Sequence, residues 1–183
     1  MTQIALEVAL LALSSYWVVP LPFTPIVLSL HTVMVNLIAL TLNARQAAWA
    51  VGVYLLLGAL GAPILAAGSG GLDKLLGPTG GFYFGFWLAA VLMASLKGDK
   101  PNWKRYALVT IGVGIPLQHL CAVLMMAFYN GGHFQAAFWL VSLPFLPGDI
   151  LKALGASTLG AAINKALSWQ RDKNFYRGRT ALS

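Results

Sequence analysis

The sequence predicts an all-α integral membrane protein of six transmembrane helices, with both termini cytoplasmic. Three observations predict it. Of 183 residues, 58% are hydrophobic and only 9% charged, where a soluble domain carries about 25% charged residues; mean hydropathy is +0.75. The apolar residues fall into six runs, separated by proline, glycine and polar clusters. The basic residues gather at the ends of those runs, where membrane topology uses them, so the net charge of +7 is no sign of nucleic-acid binding. A bilayer core of ~30 Å takes about 20 residues per helix, so the chain holds roughly six spans in one bundle. Residues 1–168 are read as that substrate-binding transmembrane domain and 169–183 as a basic cytoplasmic tail drawn to anionic lipid.

The runs lie near 3–19, 26–43, 46–66, 81–96, 105–129 and 148–168. The first begins without the charged region of a cleavable signal peptide, since the first lysine or arginine is Arg45; it is read as a span. Six spans put both termini on one side. The N-terminus, loops 2–3 and 4–5 and the tail carry ten of the twelve basic residues, against Lys74 alone in the opposite loops. That bias makes both termini cytoplasmic. Lys152 lies in the sixth run near its outer end. Cys121 has no second cysteine to pair with.

The outer loops are unusually apolar. Loop 3–4 runs 66–81, is glycine-rich, and carries Leu72, Leu75 and Leu76, which water alone would not require. It is expected to fold back over the bundle as a lid. Loop 1–2, Pro20-Leu21-Pro22-Phe23-Thr24-Pro25, is proline-stiffened and is expected to wall the same outward-facing cavity. The segment 130–147 is read as a break.

Charge inside an apolar run costs roughly 2.5–3.5 kcal/mol and marks a functional site by default. Asp149 and Lys152 are such a pair, spaced i, i+3 on one helix face. One reading is a helix cap plus an internal salt bridge. The other is a pair facing a cavity, with Lys152 suited to a carboxylate and Asp149 to a donor. Gln118 and His119 follow Gly112, Gly114 and Pro116, which can kink the fifth span. They serve either to satisfy freed backbone groups and bond a neighbouring helix or to touch a ligand. His31 lies a turn inside the outer boundary of the second span, near the cavity; Asn36, deeper, is expected to bond another helix. Ala5 and Ala9 flank Glu7 at small-xxx-small spacing, which suits either packing within the bundle or docking of another membrane protein. Three histidines and one cysteine make no metal motif, and no Walker sequence is present.

Four pieces in order carry a resemblance: Pro20-Leu21-Pro22-Phe23-Thr24-Pro25; Gly68-Ser69-Gly70-Gly71; Leu76-Gly77-Pro78-Thr79-Gly80-Gly81-Phe82; and Pro147-Gly148-Asp149-Ile150-Leu151-Lys152. From about residue 5 to 168 the chain resembles the biotin-specific substrate-capture (S) component of energy-coupling-factor (ECF) transporters, the BioY family. The resemblance implies the ECF S-component fold, with biotin held near the outer face by Asp149 and Lys152. It implies that the glycine-rich junction of Thr79, Gly80 and Gly81 lines the same pocket; Tyr83, His31 and Gln118 are taken with these as candidate substrate contacts. It implies that Ala5 and Ala9 dock a transmembrane scaffold subunit, with ABC-type ATPases supplying energy. No cofactor is implied. The chain departs from the family at Val27, where a second proline is usual, and at His31, where glutamine is usual; both bear on the shape of the first pocket wall.

The function expected is biotin uptake across the cytoplasmic (inner) membrane of a prokaryote by a multi-pass, non-enzymatic protein. An alternative keeps the fold and changes the vitamin, to thiamine or niacin. A third reading is an intramembrane enzyme using Asp149 with His119 or His31, which requires a histidine within hydrogen-bond reach of the acid beside a cavity that admits water.

Overall fold

Among the described residues, six helical rods in alternating directions build the bundle. In the computed structural model, residues 2–20 and 27–180 are described, with side chains described for 2–18 and 29–169. The rods are α1 (Thr2–Ser14), α2 (His31–Thr41), α3 (Ala44–Ala59), α5 (Gly81–Leu96), α6 with α7 (Trp103–Val109, Ile115–Tyr129) and α9 (Leu146–Thr180). Two short helices, α4 (Leu72–Leu76) and α8 (Phe134–Val141), lie in the connections at one end. That end carries the N termini of α2, α5 and α9 and is called upper below.

The apolar runs and the helices do not coincide. The first two runs end as a hairpin, β1 (Val18–Pro20) antiparallel to β2 (Val27–Ser29), with Val18 opposite Ser29. Pairing satisfies backbone groups that apolar surroundings leave without water, so an apolar run need not stay helical. The segment 130–147, read from sequence as a break, contains α8, which meets α9 at a 54° bend. The α6–α7 rod, Trp103–Tyr129, is long and apolar enough to cross a bilayer alone; α1, α2 and α5 are apolar but shorter. The sixth rod continues unbroken to Thr180, through the stretch expected as a tail.

Local signals explain the lower turns. Asn43 caps α3 by accepting from Gln46 N–H at 2.9 Å, while Gln46 Oε1 accepts from Asn43 N–H. This reciprocal box turns the chain sharply after α2. Asn102 caps α6 without a reciprocal bond, its Oδ1 accepting from Lys104 and Arg105 N–H. Proline at 116 lacks an amide hydrogen, and the ladder before it widens into a π turn at Thr110–Gly114. Thr110, buried there, meets Ser157 of α9 at 3.1 Å.

Small residues set the closest approaches. On α5, a Cβ at Gly81 would strike the backbone at Cys121, and one at Gly85 would lie 2.8 Å from Gln118 Cα. Two glycines one turn apart therefore let α5 and α7 touch backbone to backbone. At the lower end Lys97 donates to the carbonyls of Leu40 (2.8 Å) and Leu42, closing the C terminus of α2. Asn164 of α9 donates to the same Leu40 carbonyl at 2.8 Å and to Tyr106 Oη at 2.9 Å. The core is Leu11, Val35, Ile38, Ala50, Tyr54, Ala89 and Met93. The outside is apolar too: Phe128 is 82% and Leu151 73% exposed, among many leucines and tryptophans. Such a surface suits hydrocarbon rather than water.

Candidate functional site

At the upper end, the N termini of α2, α5 and α9 surround a cavity of about 220 Å³. Asp149 begins the α9 wall. Its carboxylate makes no capping bond to its own helix among the described residues; it reaches across to α2 and α7. Oδ1 meets Lys152 Nζ at 2.6 Å and accepts from Thr32 Oγ1 at 3.4 Å. Oδ2 meets His119 Nε2 at 3.0 Å. Asp149 is 5% exposed yet lines the cavity. A buried carboxylate needs such partners, because leaving it unpaired costs several kcal/mol per ion. Lys152 also lines the cavity and donates to the Ser29 carbonyl at 3.1 Å, tying α9 to β2. Both sequence readings of the pair therefore hold in part: it is a salt bridge, and it faces a cavity.

His31 opens α2 at the cavity edge. Tyr54 donates its hydroxyl hydrogen to the Ile64 carbonyl at 2.9 Å, so at 2.7 Å it accepts from His31 Nε2–H. Nδ1 of the neutral ring is then free to accept from Ser29 Oγ at 3.2 Å. The chain thus runs Ser29, His31, Tyr54 and Ile64, and it pins the start of α2 to the segment after α3. Beside it, Tyr83 Oη accepts from Ala66 N–H at 3.0 Å, which leaves its own hydrogen available to the cavity it lines.

Phenylalanines supply much of the remaining wall. Phe86 stacks on His31 at 6.1 Å, and Phe82 meets Phe145 and His119 edge-on at 6.5 and 5.8 Å. An apolar cavity with a few converging polar groups is the usual form of a small-molecule site.

Loop 60–80 covers one side. Ala67 adopts φ +57°, the left-handed region that a Cβ disfavours, and Gly68 follows at φ +67°. Ala67 N–H donates to Ser15 O at 2.9 Å, and Tyr16 Oη donates to Pro63 O at 2.6 Å. The end of α1 thus anchors the loop, and the turn at Ala66–Gly68 turns sharply enough to line the cavity. Of the three loop leucines, Leu75 is buried while Leu72 and Leu76 are exposed. Lys74 and Thr79 line the cavity from this side.

The structure brings together His31, Thr79, Tyr83, Asp149 and Lys152. Gly80, Gly81 and Gln118 do not line the cavity. A Cβ at Gly80 would strike the Leu75 carbonyl, so Gly80 and Gly81 act through close backbone packing behind the wall. Gln118 is buried against Gly85, and its Nε2 has no partner among the described residues. Asn36, expected to bond another helix, is buried near Gly114, with Oδ1 likewise unpartnered among them. Loop residues 21–25, expected as a second wall, and the side chains of 170–183 lie outside the described residues. Ala5 and Ala9 are exposed on α1, so they face away from the bundle. Sequence reasoning missed Ser29, Thr32, Lys74 and the aromatic wall. The only available signal was that Thr32 sits one residue after His31 at the same helix start.

His119 does reach Asp149, the proximity an acid–base pair requires. His119 itself does not line the cavity, however; it holds Asp149 Oδ2 from behind the wall, and the carboxylate keeps one of its four acceptor positions for the cavity.

The chain matches the BioY family over residues 1–169. A Bacillus subtilis protein named "Probable biotin transporter BioY" is 35% identical over 184 residues, covering 97% of this chain and 96% of that protein. "Biotin transporter BioY2" of Lactococcus lactis subsp. cremoris is 33% identical over 169 residues, covering 92% and 91%. The fold is similar, at a TM-score of 0.80 and 21% identity, to a crystal structure described as the S-component for biotin from an ECF-type ABC transporter. That match covers 90% of this chain and 89% of that one.

Proposed function

The chain belongs to the BioY family, and from that premise we propose that it captures biotin for uptake across the cytoplasmic membrane of a prokaryote. The observation that carries the reading is the Asp149 carboxylate, held by Lys152, His119 and Thr32 and turned into an aromatic cavity. Biotin presents a neutral ureido ring with two N–H donors and one carbonyl, and an ionised carboxylate on an apolar tail. A fixed carboxylate accepts a ureido N–H, and the free Tyr83 hydroxyl is placed to donate to the carbonyl. Phe82, Phe86 and Phe145 cover the apolar body. The relatives are named transporters, and His119 accordingly serves to orient the acid rather than to move a proton.

The protein crosses the membrane six times, both termini cytoplasmic, with the cavity opening outward; the basic-residue bias supports this. The exposed Ala5 and Ala9 on α1 offer a close-packing strip to a transmembrane scaffold subunit served by ABC-type ATPases. The test is biotin binding to the purified full-length chain by calorimetry, with thiamine and niacin as competitors. Saturable biotin binding that neither competitor displaces is expected, and Asp149→Asn should weaken it by about tenfold or more. No saturable binding, or displacement by either vitamin, overturns the reading. Accessibility of single cysteines introduced at both ends, in a Cys121→Ser background, checks the topology.

A further inference from the structure

We infer that Lys74, at the cavity mouth, receives the carboxylate of the substrate, while its neutral ring sits at the Asp149 end; the inference rests on the biotin reading above. Among the described residues, two cations line the cavity, Lys152 and Lys74. Residues 21–26, adjoining the cavity in sequence, contain no cation.

The two cations are not equivalent. Lys152 is already engaged, with the Asp149 carboxylate at 2.6 Å and the Ser29 carbonyl at 3.1 Å. A second carboxylate drawn to that ammonium would lie beside the first, and like charges at one site repel. Lys74 has no ion-pair partner among the described residues. Its neighbour Asp73 turns its carboxylate back toward Gly71, at the start of the same short helix. Formally, with neutral histidines, the lining carries one carboxylate and two ammonium groups, a surplus of one positive charge that a monoanion matches.

Depth agrees with charge. Asp149 and His31 are buried, while Lys74 is exposed. Desolvating a carboxylate costs far more than desolvating a hydrogen-bonded neutral ring. The charged end of the ligand therefore stays at the wet mouth and the ring goes deep. Buried Leu75 holds Lys74's helix against the bundle, which places the ammonium over the opening without closing it.

Removing the charge from each partner in turn tests this. Dissociation constants are measured for biotin and for biotin methyl ester, in which the charge is gone and the ring unchanged, on the full-length wild type and on Lys74→Ala, Lys74→Arg and Lys152→Ala. The wild type is expected to prefer the acid by about tenfold, the scale of one charge-assisted contact. Lys74→Ala should lose that preference by weakening the acid and sparing the ester, and Lys74→Arg should restore it. Equal weakening of acid and ester by Lys74→Ala, no weakening of either, or loss of the preference in Lys152→Ala but not in Lys74→Ala overturns the assignment. A wild type that binds both compounds equally overturns it too, and leaves the biotin reading standing. A wild type that binds neither overturns both.

Discussion

Asp149 holds three partners on three elements: Lys152 one turn along its own helix, Thr32 on α2 and His119 on α7. These contacts differ in kind. Lys152 supplies the balancing charge, and His119 fixes the direction of the carboxylate from behind the wall. His119→Gln should therefore weaken biotin binding by less than Asp149→Asn, on the order of threefold against tenfold or more. Calorimetry on the two variants checks the order, and a His119 effect as large as the Asp149 one would contradict it. Asp149 and Lys152 were legible in sequence because charges in an apolar run are rare and costly. Thr32 and Ser29 were not, since hydroxyls are common in spanning helices and carry no such cost. Lys74 was legible only as a loop charge, because its place over the cavity depends on the turn at Ala66–Gly68. That turn stores some strain at Ala67, φ +57°. Ala67→Val puts a β-branched residue into the left-handed region, and it should lower thermal stability by about 1–2 kcal/mol and weaken ligand binding. Thermal unfolding with and without biotin measures both.

Among the elements, α5 and α7 pack backbone to backbone, and glycine is the reason. Gly81 faces the Cys121 backbone, so Gly81→Ala forces the helices apart where nothing flexible can yield. A loss of about 1–3 kcal/mol is expected, the usual cost of overpacking. Gly155, exposed on α9 with nothing within 4 Å of an added Cβ, is the control. Gly155→Ala should be neutral or gain up to about 1 kcal/mol from helix propensity. Thermal midpoints in detergent, measured side by side, separate the two. The same comparison distinguishes packing from ligand contact for the glycine junction: a packing role makes Gly81→Ala lose stability even without biotin. Helix content was legible where apolar runs were long and uninterrupted, as over 81–96 and 105–129. The runs ending at 19 and beginning at 26 were read as helix to their ends, but they close as β1 and β2 instead. Hydropathy reports burial from water and cannot distinguish two ways of satisfying a backbone without it.

Across the whole molecule, the two ends are built differently. The upper end is open around the cavity, while the lower end is clasped by Lys97 and Asn164 on the Leu40 and Leu42 carbonyls. Lys97 lies just past α5, in the loop, and burial pushes its ammonium from the ordinary 10.5 down to about 8. Between those values the unfolded chain holds the proton and the folded chain does not, so folding stability rises with pH across that window. The cost of burying the charge is full below about pH 8 and is relieved toward 10.5. Thermal midpoints from pH 7 to 10.5 should rise for the wild type relative to Lys97→Met, which lacks the titration. Parallel curves would remove the clasp's charge from the account.

Composition and the order of apolar runs by themselves determined the class of the molecule and singled out the charged pair at its centre, while four short motifs in order carried the family likeness. Class and pair are legible because burial in hydrocarbon and the cost of charge there act residue by residue along the chain. Only the tertiary structure decided which groups meet that pair. His119 is 30 residues and Thr32 117 residues from Asp149 in sequence. Contacts at that separation depend on how α2 and α7 pack against α9, as where Gly160 lets α9 come up against Leu40 of α2. The same is true of Lys74, which a short turned loop carries over the cavity where hydropathy sees only a linker.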